Sequence, residues 1–207
     1  MVEEEASGLR ERKKRETRIA LSRAAIRLSI ERGWDNVTVE VIAAEANVSV
    51  RTFRNYFANK AEAVAAGHSE RALRIADALR ARPSDEPLWD AIADAVQSQF
   101  AAGERAGAES DDDRRWRDAL RLMLAEPALQ GEVVKANAVA QSALAAAVAE
   151  RTGTDATRDV YPQLVAAVIG AGSAVAVEHC LRADEPISLA QVLREVFDRI
   201  GAGLPVP

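Results

Sequence analysis

The sequence predicts an all-α protein of about nine helices, a small N-terminal head followed by a larger helical body. Three observations point there. Apolar residues recur at helical spacing along most of the 207 residues. Ala, Leu, Arg and Glu, which lose little rotamer freedom in a helix, fill the long tracts. Gly, Pro, Ser, Thr, Asp and Asn fall where helices should stop and start, and strand punctuation is scarce.

Met1–Arg15 reads as a flexible arm ending in the basic run Arg10, Arg12, Lys13, Lys14 and Arg15. The first helix follows, with Leu21, Ala24, Ala25 and Leu28 on one face, and Gly33 stops it. Val37–Val41 alternates like a strand, but Ile42, Ala43 and Ala46 continue a helical face and Thr38 is a good N-cap. Ser49 caps a short helix carrying Phe53, Tyr56 and Phe57, and Asn59 with Glu62 opens another that runs to about Arg82. Pro83–Pro87 is a turn, after which Leu88, Ile92, Val96 and Phe100 mark a helix. Gly103–Asp112 is loop-like and leads to a helix presenting Trp116, Leu120, Met123 and Leu124, ending near Pro127. The next helix is rich in alanine, with eight in the fourteen residues Ala136–Ala149, and Gly153 breaks it. Asp155 should cap a helix reaching about Leu181. Ser188 and Gln191 form a second box ahead of the stripe Leu189, Val192, Leu193, Val196 and Ile200.

Charge is unevenly spread. Gly8–Lys60 holds twelve Lys/Arg against six Asp/Glu, whereas Ala61–Pro207 holds fifteen against twenty-three. A basic front on an acidic body suits a polyanionic partner at one end only. The single Cys180 cannot form an internal disulfide, and no signal peptide is visible. Val160–Cys180 is apolar enough to suggest a membrane span. Pro162, Gln163, Ser173 and His179 shorten its apolar stretch below the ~20 residues required, so a buried helix is expected. The expectation is a soluble, cytoplasmic protein with no membrane partner.

The informative stretch runs from Thr38 to Lys60: TVEVIAAEANVSVRTFRNYFANK. It describes two short helices around a tight turn. Ala46 is small where the helices cross, and Asn47 tolerates the left-handed backbone such a turn needs. Val48 plugs the core. Phe53 and Phe57, four apart, turn inward, which leaves Val50, Arg51, Arg54 and Asn55 facing out near the amino end of the second helix. A recognition helix meets base edges there.

These residues resemble the tetracycline-repressor (TetR) family, whose pattern they follow from about residue 16 to 64. Asn47 stands where the family usually has Gly, Arg54 where Tyr is frequent, and Ser29 where the first helix usually has an aromatic. The resemblance implies a helix-turn-helix head over 16–64, an effector-binding and dimerisation body over 65–207, and double-stranded operator DNA as partner. It implies that Thr38, Thr52, Tyr56 and Lys60 hold phosphates, with the helix starts at Ser49 and Val50 beside them. For Tyr56, core packing with the hydroxyl at the rim is the competing reading. Arg51, Arg54 and Asn55 are candidates for base reading, since Arg suits guanine and Asn suits adenine. The resemblance also implies a homodimer in which the last two helices pair with their twins. The nearly all-apolar Val160–Leu181 fits that, with Ala166, Gly170 and Ala174 as a smooth row and Leu189 and Val196 on the last helix.

Trp89, Phe100, Trp116, Leu120, Met123 and Tyr161 lie on body helices interleaved with alanine-rich ones. They could line a pocket for a small, largely apolar effector, or simply pack. The wording RTFRNYF of the recognition helix resembles the subgroup containing the mycofactocin regulator, which implies acyl-CoA thioester ligands. His68, His179 and Cys180 are too few and too scattered for a zinc site, and no cofactor is expected. No Ser-His-Asp set, metal cluster or phosphate-binding Gly loop speaks for an enzyme. The expected function is a regulator, most simply a repressor that an effector releases from its operator; an activator, or a regulator without an effector, is the alternative.

Overall fold

The structure, a computed structural model, describes residues 2–99, 118–123, 125–183 and 187–206. Every regular element among them is helical. In order they are α1 (Val2–Arg32), a 3-10 turn (Trp34–Asn36), α2 (Val39–Glu45), α3 (Val50–Arg54), α4 (Lys60–Ala81) and α5 (Leu88–Ser98). A helical segment over 118–123 precedes α6 (Pro127–Thr152), α7 (Val160–Arg182) and α8 (Leu189–Gly201). The expected end of one helix near Pro127 is the start of the next, because proline is well suited to a first helical position.

Helix boundaries follow side-chain chemistry. Thr38, Ser49 and Ser188 each accept a backbone N–H of the turn they open, from Val41, Thr52 and Gln191. At α4 the Asn59 side-chain Oδ1 accepts from Glu62 N–H at 2.8 Å, while the Glu62 carboxylate accepts from Ala58 N–H at 2.7 Å. Gly33, with φ +81°, ends α1. Asp155 does not cap α7. Its carboxylate accepts from Thr157 N–H in a local turn, and the helix starts after Asp159. Residues 1–15, expected as a flexible arm, are helical from Val2 onward, where α1 begins. Opposite charges one turn apart support a charged helix, as Arg12 and Glu16 do at 3.7 Å, and the Thr17 hydroxyl donates to the Lys13 carbonyl.

Contacts divide the chain into two units. The first extends to Glu70 and takes Asp118–Ala136; the second starts at Arg71 and resumes at Asn137. The head therefore claims more chain than residues 16–64. Its core joins Leu21, Ala25 and Leu28 of α1 to Ile42, Phe53, Phe57 and Val64, and Leu129 of α6 is fully buried in the same cluster. A chain segment returning from far along the sequence is invisible to a local boundary rule.

The second unit has its own core. Ile75 and Leu79 of α4, Ile92 and Val96 of α5, Leu144 and Val148 of α6, Val165 and Ile169 of α7, and Leu193 and Phe197 of α8 form it. Gly172 lets α7 and α8 approach closely, since a Cβ there would stand 3.1 Å from both Val196 and Ile200. Arg151 donates to the carbonyls of Arg82, Pro83 and Glu86, which holds the Pro83–Pro87 turn onto α6.

α7 is long and apolar enough, by length and composition, to cross a membrane. It is not the buried helix the sequence suggests. Pro162, Val165, Ala166, Ile169, Gly172, Ala176 and Cys180 face the core. Val160, Leu164, Ala167, Ala171, Ala174 and Val175 leave an apolar stripe exposed along the other side, as a helix apolar all round must when one core covers it.

Candidate nucleic-acid interface

The α2–turn–α3 unit is built as its residues dictate. The turn closes through Asn47 N–H to the Ala44 carbonyl at 3.0 Å and Val48 N–H to the Ala43 carbonyl at 2.9 Å. Asn47 sits at φ +53°, the left-handed conformation that asparagine tolerates better than most residues. Ser49 Oγ accepts from Thr52 N–H at 3.0 Å and lies 2.8 Å from the Thr52 hydroxyl. Phe53 and Phe57 are buried in the head core with ring centroids 5.7 Å apart. Anchoring one side of α3 in this way leaves Arg51, Arg54 and Asn55 exposed on the other, with Val50, Thr52 and Tyr56 half-buried at its margins.

Charge on that face is organised. The Glu40 carboxyl is held below its ordinary range by its own backbone N–H, by the Thr38 hydroxyl and by Arg54 across the turn. Glu40 thus brings a negative charge of α2 near Arg54, the weakest of these influences. Arg18 of α1 does the positioning: it donates to the Tyr56 carbonyl at 3.3 Å, lies 4.6 Å over the Phe57 ring and stands 3.7 Å from the Glu70 carboxylate. Glu70 is buried and also pairs with Arg15 at 3.3 Å. A buried carboxylate needs such partners. Arg18 and Glu70 could not be found from local sequence, because their partners come from other helices.

Lys60, expected at a phosphate, is bound within the head. Its Nζ donates to the carbonyls of Trp34 at 2.6 Å and Val37 at 2.9 Å and lies 4.1 Å over the Trp34 ring. The ammonium is occupied in closing the chain between α1 and α2, since carbonyls left open after a helix end need a donor. Lys60→Met should therefore lower the stability of the head by about 2 kcal/mol, the loss of charged hydrogen bonds and a cation–π contact. Thermal unfolding followed by circular dichroism measures this. A variant as stable as wild type but with a smaller salt dependence of DNA binding would return Lys60 to the phosphates.

Beside α3 lies a shallow concavity of about 540 Å³, lined by Arg10, Lys13, Lys14 and Thr17 of α1 and by Thr52, Asn55 and Tyr56. The Tyr56 side chain thus borders an open basic surface as well as packing against the head core.

The residues expected to form an effector pocket divide between the two units. Met123 packs on the head core, and Trp89 lies on α5 close to Gly201 at the end of α8. Leu120 is half-buried and Tyr161 is exposed on α7. Phe100 and Trp116 lie outside the described residues. Among the expected dimer residues, Gly170 and Ala174 are exposed, whereas Ala166 is buried in the body's own core, with Leu189 and Val196 packed against it. Positions four apart advance 40° around a helix, so the row from Ala166 to Ala174 turns from the core to the surface.

Comparison with known proteins agrees with this architecture. Residues 21–66 match the family model described as bacterial regulatory proteins, tetR family, and residues 86–205 match the MftR C-terminal domain. The chain is 32% identical to the HTH-type transcriptional regulator TcmR of Streptomyces glaucescens, covering 91% of this chain and 84% of that one. It is also 32% identical to MftR of Mycobacterium tuberculosis, a regulator assigned to mycofactocin biosynthesis, over 89% of each chain. The fold is shared with Thermus thermophilus FadR, a TetR-family repressor solved with lauroyl-CoA, at a TM-score of 0.54 and 18% identity over 92% of this chain and 96% of that one. The family is one of transcriptional regulators and not of enzymes. With a tetR-type head, an MftR-type body and relatives similar over nearly its whole length, the chain belongs to the TetR family of bacterial transcriptional regulators.

Proposed function

We propose that this chain is a homodimeric cytoplasmic repressor that grips double-stranded operator DNA through α3 and is released by a small, largely apolar effector. The observation that carries the reading is the arrangement of α3. Phe53 anchors it in the core while Arg51, Arg54 and Asn55, the side chains able to make bidentate base contacts, stand exposed together. The exposed stripe of α7, with Val160, Leu164 and Val175 at its margins, supports pairing with a second copy. For the effector we infer an acyl-CoA thioester. The MftR-type body and the lauroyl-CoA complex of a protein with the same fold favour that class. The ligand must bind the DNA-incompetent state more tightly than the competent one, and reciprocity then requires DNA to weaken ligand binding by the same factor.

The test is selection of an operator from random duplex DNA, then titration of acyl-CoAs of increasing chain length into the complex. Release should come with a change in Trp fluorescence, because Trp89 packs in the body. A thioester that binds tightly and leaves operator affinity unchanged would refute the coupling.

A further inference from the structure

We propose that the N-terminal half of α1 is a second DNA-contacting element, which clamps the phosphate backbone alongside the segment met by α3. The inference rests on the reading of α3 as the recognition helix. It starts from a helix longer than its core requires. Among the described side chains of α1, burial begins at Leu21, and everything before it is exposed or half-buried. From Leu21 back to Arg10 the helix still extends about 16 Å, at about 1.5 Å per residue. A rigid segment that buries so little needs another use.

Its charges show what that use is. Arg10, Lys13, Lys14 and Thr17 follow i, i+3, i+4, i+7 spacing, so they share one helix face, and that face lines the concavity completed by Thr52, Asn55 and Tyr56. The neighbouring cations turn elsewhere: Arg12 meets Glu16 and Arg15 meets Glu70. None of the lining residues is acidic. Three cations with the hydroxyls of Thr52 and Tyr56 form a donor set for a phosphodiester, whose oxygens only accept. Asn55 belongs both to this slot and to the exposed face of α3, so a duplex meeting α3 brings its backbone alongside the slot. The family model begins at residue 21, so these cations precede the shared pattern. Contacts of this kind supply affinity and register but carry no sequence information.

The experiment compares wild-type protein with the R10Q/K13Q/K14Q, R12Q and R51A variants. Each binds its selected operator and a random duplex, read by fluorescence anisotropy from about 50 to 300 mM salt. For the triple variant, the slope of log affinity against log salt should fall by roughly 0.9 for each phosphate no longer neutralised, equally on both duplexes. Its melting temperature should stay unchanged, since the three side chains are exposed. R12Q removes the same charge from the same turn but outside the slot, and should change the slope by less than half as much per charge. An equal effect from R12Q would mean diffuse charge and overturn the clamp, as would an unchanged slope in the triple variant or a loss confined to the operator. R51A should lose selectivity and keep most of the slope. Wild-type protein that bound no duplex would instead defeat the underlying reading of α3, and the clamp with it.

Discussion

Replacing Arg51, Arg54 or Asn55 with Ala is expected to relax operator choice, each costing about 1–3 kcal/mol on the selected sequence where the side chain grips its base with two hydrogen bonds. On random duplex the same variants should lose much less, because binding there is carried by phosphates. The three side chains are exposed, so folding should be untouched and the loss can be read as recognition. Arg54 has a further signature. Glu40 places a negative charge on α2 near Arg54, so Glu40→Gln should raise affinity for every duplex while Arg54→Ala lowers it mainly for the operator. The check is a set of binding curves on the operator, on single-base variants of it, and on random DNA. Equal losses on operator and random DNA for all three Ala variants would remove α3 from base reading.

The other large effect concerns the exposed stripe of α7. Gly170→Arg and Ala174→Arg should convert a dimer into monomers, since a charge buried without a partner costs several kcal/mol. The isolated fold should accept both: Ala174 is exposed, and a Cβ at Gly170 would meet nothing within 4 Å. Sedimentation should show the change, and operator affinity should fall with it, because two linked half-site contacts become one. Val196 serves as the contrast. It packs against Gly172 inside the body, so Val196→Asp should unfold the unit rather than separate two copies. Wild-type monomers at micromolar concentration would end the dimer reading.

Much of the head, and the start of α8, was legible from residue types alone. Thr38, Ser49, Asn59 and Ser188 cap the helices they were expected to cap, because capping is a bond between neighbours a few residues apart. Asn47 takes its left-handed turn for a reason local to its own backbone. The bonds of Lys60 were not legible, because their acceptors, the carbonyls of Trp34 and Val37, lie more than twenty residues upstream. The first fifteen residues read as an arm because charge-rich composition resembles disorder until opposite charges are matched one helical turn apart.

Residue order was enough to specify the helical fold class, the start and stop of most helices, the inward turn of Phe53 and Phe57 and the outward turn of Arg51, Arg54 and Asn55. These follow from a 3.6-residue period and from bonds spanning one turn. Packing between distant helices settled which apolar face of α7 is covered, that Leu129 fills the head core, that Ala166 is spent inside the body, and that Arg10, Lys13 and Lys14 share a slot with Thr52 and Tyr56. Each of these depends on which distant helix arrives alongside. Periodicity tells a helix which sides to bury, but only the packing of its neighbours decides which side is reached first.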